Sequence, residues 1–124
     1  MERRRNLSFI EKRKYPRVDI TNLISYRCMD DSGNLKQEGR GKSINISQGG
    51  ILIETHDPFE WQDTLSLSID IEDESVNIKG KVVYCNASNF GKYRTGIQFL
   101  ETNKKIVSFV EGLLKTYSKL LGIA

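Results

Sequence analysis

In Leu65-Ser66-Leu67-Ser68-Ile69-Asp70-Ile71 apolar and polar residues alternate without a break. A helix turns about 100° per residue and scatters these four apolar side chains, whereas a strand puts all of them on one face. Outward from this segment the same period recurs. Downstream, Glu72-Asp73-Glu74-Ser75 is a polar hairpin turn, and Val76, Ile78, Gly80, Val82 and Tyr84 then line one face of a strand. Asn86 to Gly91 is a loop, and Tyr93, Thr95, Ile97 and Phe99 alternate in a last strand. Upstream, Gly50-Ile51-Leu52-Ile53-Glu54 opens a strand that Gln48-Gly49-Gly50 separates from another over 38–46, with Ile44 and Ile46 on one face. The first strand carries Val18, Ile20, Leu23, Ile24, Tyr26 and Cys28 and ends at the turn-rich Met29-Asp30-Asp31-Ser32-Gly33.

Six short strands joined by short turns predict a mainly β fold, a six-stranded antiparallel β-barrel, because closure removes exposed strand edges. After Phe99 the period changes. Ile106, Val107, Phe109, Val110, Leu113, Leu114, Tyr117, Leu120 and Leu121 recur at steps of three and four. This predicts an amphipathic helix from about Asn103 to Leu121, with Thr102 or Asn103 as its N-cap, packed on the barrel as a lid. The expected division is a basic N-terminal arm over 1–17, a barrel over 18–100 and a C-terminal helix over 101–124.

A chain of 124 residues holds one domain with one core. Its apolar runs are far too short for a membrane helix, and Met1-Glu2-Arg3-Arg4-Arg5 is followed by no apolar stretch of a secretory signal. A cytoplasmic protein without a membrane span is expected. Cys28 and Cys85 lie in no metal-ligand spacing, and His56 is the single histidine, placed in a turn. Two free thiols and no metal are expected. The acidic run Asp70, Glu72, Asp73, Glu74 lacks the spacing of a calcium loop and reads as a solvated hairpin. No acid–base pair or nucleophile–base set stands out, so the chain is expected to be no enzyme.

Charge is unevenly spread. Lys and Arg number 19 against 16 Asp and Glu, and Arg3, Arg4, Arg5, Lys12, Arg13, Lys14 and Arg17 crowd the first seventeen residues. A basic arm of this kind suits an anionic partner. Within it, Arg13-Lys14-Tyr15-Pro16-Arg17 sets two arginines four apart where Pro16 prevents a regular helix. A guanidinium is a planar fork of donors that matches a phosphodiester or the O6/N7 edge of guanine. Farther on, Asn45-Ile46-Ser47-Gln48-Gly49-Gly50 joins two strands. Alternation places Asn45 and Ser47 on one side, where an amide and a hydroxyl can meet a purine edge or satisfy the backbone of their own turn.

In this order, Arg13…Arg17 and Asn45-x-Ser47-x-x-Gly50 resemble the RxxxR and [D/N]xSxxG motifs of the PilZ domain family. Gly96-Ile97-Gln98-Phe99 is similar to that family's final-strand GhxF pattern. The resemblance spans about Glu11 to Phe99 and implies a split-barrel fold that binds cyclic di-GMP, with no cofactor. It implies that Arg13 and Arg17 grip phosphates and a guanine edge, that Asn45 and Ser47 contact a guanine, and that Gly49 and Gly50 shape the turn. Lys12 is a further basic contact, while Arg94 is left out of the site. Asn45 stands where a carboxylate makes a charge-assisted bond, so weaker binding is expected. The ligand would order the arm and present a changed face to a downstream protein, with the chain a monomer or a dimer. Two other readings are a PilZ-like scaffold that binds no nucleotide and a small-barrel nucleic-acid binder. Against the last, Tyr84, Tyr93 and Phe99 fall on core-type alternating positions and the exposed strand faces are mostly Ser, Lys, Asn and Asp, so no specific nucleic acid is expected.

Overall fold

The alternating segments form seven strands, β1 (Val18–Asp19), β2 (Leu23–Met29), β3 (Leu35–Ile46), β4 (Gly50–Thr55), β5 (Thr64–Ile71), β6 (Glu74–Ala87) and β7 (Tyr93–Phe99). The helix α1 (Lys104–Leu120) follows. The computed structural model describes residues 15–120, with side chains of α1 described as far as Thr116. Arg3, Arg4, Arg5, Lys12, Arg13 and Leu121, and the side chains of Tyr117 and Leu120, therefore lie outside the described part. All six expected strands are present. The first is divided, since Val18 and Asp19 pair as a separate β1 before β2 begins.

Closure depends on β3. Leu35–Lys42 pairs with β2, Lys42–Ile46 pairs with β4, and the ladders β2–β5, β5–β6, β6–β7 and β7–β4 complete an antiparallel ring of six strands. One strand serves two neighbours because it bends at a bulge that leaves Ile44 unpaired between Ser43 and Asn45. The bulge also re-phases the strand. Ser43 and Ile46 are both fully buried although three positions apart, and Ile44 is only half-buried. The expected shared face of Ile44 and Ile46 does not form. A second bulge at Val83 turns β6 in the same way, so that Val82 faces the core and Tyr84 faces out with 42% of its surface exposed. Phe99 takes its expected core position and Tyr93 is half-buried.

The β5–β6 turn is tighter than the polar run suggests. Ile71 pairs with Glu74, leaving a loop of Glu72 and Asp73 alone, with φ of 49° and 66°. Positive φ at both central residues is the hairpin geometry that follows the twist of the strands. The core collects Ile24, Tyr26, Leu65, Leu67, Ile69, Ile71, Ile51, Ile53, Val82 and Ile97, and Ile106 and Val110 of α1 are buried against it. Phe109, Leu113 and Leu114 flank these contacts. Asn103 is the N-cap: its Oδ1 accepts the N–H groups of Lys105 and Ile106 at 3.0 Å each. An ion pair from Lys105 to Glu74 ties the helix to the β5–β6 hairpin.

Cys28 is fully buried and its thiol donates to Asp63 Oδ2 at 3.4 Å. Burial, reinforced by the Asp63 carboxylate, pushes this thiol up to about 12. A protonated, inaccessible thiol is no nucleophile. A disulfide-exchange reagent at neutral pH should therefore modify at most the half-buried Cys85 in the native protein and both thiols after denaturation. Modification of Cys28 without unfolding would contradict this placement.

Candidate functional site

The end of the arm is fixed to the barrel by a short ladder in which Val18 pairs with Ile46 and Asp19 with Asn45. That register sets residues 15–17 beside the loop after β3. Arg17 Nη1 donates to Asn45 Oδ1 at 2.8 Å, across 28 positions of sequence. Tyr15 lies on Gly49, where an added Cβ would stand 2.9 Å from its ring. The last arginine of the first motif and the first residue of the second are thus in direct contact. Lys12 and Arg13 lie outside the described residues.

Ser47 is buried, and its Oγ accepts the N–H groups of Gly49 and Gly50 at 3.1 Å each. Its own N–H donates to the Gly50 carbonyl at 2.8 Å, and its hydroxyl lies 3.4 Å from the same oxygen. A hydroxyl offers two lone pairs and one proton. All three are engaged by the turn, so Ser47 builds the loop and does not share the outward side expected for it with Asn45. Gly50 is required by close approach, because a Cβ there would collide with the carbonyl oxygen of Ile97 on β7.

Paired residues of adjacent strands share a face. Asp19, Asn45, Leu52, Gly96 and Tyr84 therefore form one row across the outer wall of the barrel. Tyr84 lies over Gly96, whose missing side chain leaves room for the ring. The neighbouring row is Lys42, Glu54, Arg94 and Asn86. Here the Glu54 carboxylate, with its side chain 10% exposed, accepts from Arg94 Nε at 3.2 Å and faces Lys42 Nζ at 3.6 Å and Lys92 Nζ at 3.9 Å. Burial favours the neutral acid, but the Arg94 hydrogen bond with the Lys42 and Lys92 charges outweighs it and holds this carboxyl below its usual range.

The PilZ domain family model matches residues 11–114, most of the chain. The chain belongs to the PilZ domain family. PilZ domains are receptors and not enzymes, in line with the expectation of no catalysis. No curated protein sequence matches the chain. Among solved structures, the Bacillus subtilis inhibitor of motility MotI/DgrA is 20% identical, with a TM-score of 0.66 over 86% of this chain and 52% of that one. The PilZ domain of Escherichia coli YcgR, solved with c-di-GMP, is 10% identical, with a TM-score of 0.62 over 91% of this chain and 99% of that one. The K. pneumonia MrkH–c-di-GMP complex is 16% identical, with a TM-score of 0.56 over 89% of this chain and 53% of that one. These likenesses are of fold, and this PilZ domain spans about half the length of the MotI/DgrA and MrkH chains.

Two features of this PilZ domain escape the sequence reading. The exposure of Tyr84 follows from the Val83 bulge, which no local period reveals. The cations around Glu54 of β4 come from β3, β7 and the hairpin before β7, so only strand register brings them together. A visible signal was the charge of Glu54 and of Arg94, each the single charged residue of its strand. Among the described residues no cluster of three or more His, Cys, Asp or Glu suits a metal, and no helix is long and apolar enough to cross a membrane.

Proposed function

We propose that this PilZ domain is a receptor for cyclic di-GMP and passes the signal to a protein partner in the cytoplasm. The observation that carries the reading is the Arg17–Asn45 hydrogen bond, which joins the two motifs at one place on the barrel wall. The YcgR and MrkH structures with c-di-GMP add that the same fold takes this ligand. In this reading residues 1–17 are an arm that closes over the ligand, 18–100 the barrel that receives it and 101–124 the helix packed on the barrel. Arg13 and Arg17 bind phosphate or a guanine edge, Asn45 meets a guanine from the wall, and Lys12 adds a basic contact. Ser47, Gly49 and Gly50 act through the turn that sets Asn45 in place. Ordering of the arm then alters the face a downstream protein meets.

Isothermal titration of cyclic di-GMP into the protein tests this, with competition by GTP and by an oligonucleotide. Saturable heat, displaced by unlabelled cyclic di-GMP alone, is the expected result, and the stoichiometry distinguishes one bound ligand from an intercalated pair. Absence of binding up to about 100 μM ligand in a folded sample would leave an interaction scaffold instead. Displacement by the oligonucleotide would favour a nucleic-acid binder.

A further inference from the structure

A cleft of about 270 Å³ opens beside the Lys42–Glu54–Arg94 row, lined among others by Leu23, Arg40, Lys42, Glu54, His56 and Lys92. Its charge is unbalanced. The one carboxylate in the lining, Glu54, is nearly buried and already bonded to Arg94, while Arg40, Lys42 and Lys92 all border the opening. Four cations against one carboxylate leave a local surplus of three positive charges among the described residues. The separations of 3.6 Å and 3.9 Å from Glu54 to the Lys42 and Lys92 ammonium groups are too long for hydrogen bonds. Glu54 therefore holds these groups in position without using their protons, and both keep donors for another acceptor. The Thr55 hydroxyl is not a competing donor, being committed to the Asp57 carbonyl at 2.8 Å.

We propose that this cleft is a phosphate-binding site, in which Lys42, Lys92 and Arg40 hold a phosphate group and Glu54 positions the two lysines from beneath. A phosphate suits it because it combines up to two negative charges with several acceptor oxygens, as dispersed ammonium and guanidinium donors require. The site uses no residue of the RxxxR or NxSxxG motifs and stands whether or not the domain binds cyclic di-GMP. Lys42 lies two positions before the unpaired Ile44 and Asn45 directly after it, so the cleft and the motif site are neighbours on one wall.

His56 is the single histidine of the chain and lies exposed on the cleft, which makes its imidazole proton signals an unambiguous reporter. The experiment titrates inorganic phosphate, and separately GMP, at constant ionic strength into the intact protein and into Arg17→Ala. The expected result is a saturable shift of the His56 signals in both proteins. Lys42→Ala and Lys92→Ala should each weaken it about tenfold, as loss of a charge-assisted hydrogen bond requires. Lys79→Ala, an exposed lysine away from this cleft, should leave it unchanged. All three lysines are on the surface, so a retained amide spectrum verifies the fold. Tighter binding of GMP than of phosphate would assign the site to a nucleotide ester, and equal binding to the free ion. A linear response matched by chloride would overturn the proposal. So would a response that Arg17→Ala abolishes, since the cleft would then be part of the motif site.

Discussion

Arg17→Ala should reduce affinity for cyclic di-GMP by about a hundredfold or more while leaving the barrel intact. Hydrogen bonds from a guanidinium to an anionic or polar edge contribute about 1.5–3 kcal/mol each, and the planar fork makes two. Their joint loss corresponds to two or more factors of ten. The Arg17 side chain is exposed and its bond to Asn45 joins two side chains at the surface, so stability should change by no more than about 0.5 kcal/mol. Arg17→Lys restores the charge but not the fork and should recover only part of the affinity. Isothermal titration beside a urea melt separates the two effects. Equal affinity in wild type and Arg17→Ala would mean that the ligand is held elsewhere.

Gly50→Ala should lower unfolding free energy by about 3 kcal/mol, at the upper end of what overpacking costs. The added Cβ would meet the carbonyl oxygen of Ile97, a backbone group fixed by the β4–β7 ladder in which Ile51 pairs with Ile97 and Gly50 with Gln98. Relief requires the ladder to part at the place where Ser47 braces the turn through the Gly50 N–H and carbonyl. Gly49→Ala is a contrast, because its Cβ would meet only the ring of the partly exposed Tyr15, which can swing aside. Gly112→Ala is the opposite case. It sits on the exposed side of α1 with nothing within 4 Å of a new Cβ and should stabilise the protein by about 0.5–1 kcal/mol. Urea denaturation of the three variants checks the order, and a Gly50→Ala protein as stable as wild type would refute the close approach.

Much of this architecture is legible in the order of residues. Alternation over Leu65–Ile71 needs no partner to declare a strand, and the three- and four-residue steps after Asn103 need none to declare a helix. The cap at Asn103 follows from local chemistry, since its side chain reaches N–H groups two and three positions on. The two motifs were visible for the same reason: each is short, and its residue types state its chemistry. Where the expected core faces of β3 and β6 depart from the structure, a bulge intervenes. Ile44 and Val83 each insert one residue without a partner, and everything beyond them changes face, which is why Tyr84 lies outside.

Period and residue type act over a few positions, so the six barrel strands, the helix and its cap, the free thiols and the two motifs can all be read along the chain. Closure of the barrel, the contact of Arg17 with Asn45 and the meeting of Lys42, Lys92 and Arg94 at Glu54 depend on pairings between distant segments. A one-residue change of register would turn Asn45, Leu52 and Glu54 to the other face while leaving every local pattern unchanged. Register is set by the whole core packing at once. The role of Ser47 shows the difference at a single atom: its hydroxyl has the chemistry to bind a ligand, and the folded loop uses that chemistry to hold its own turn.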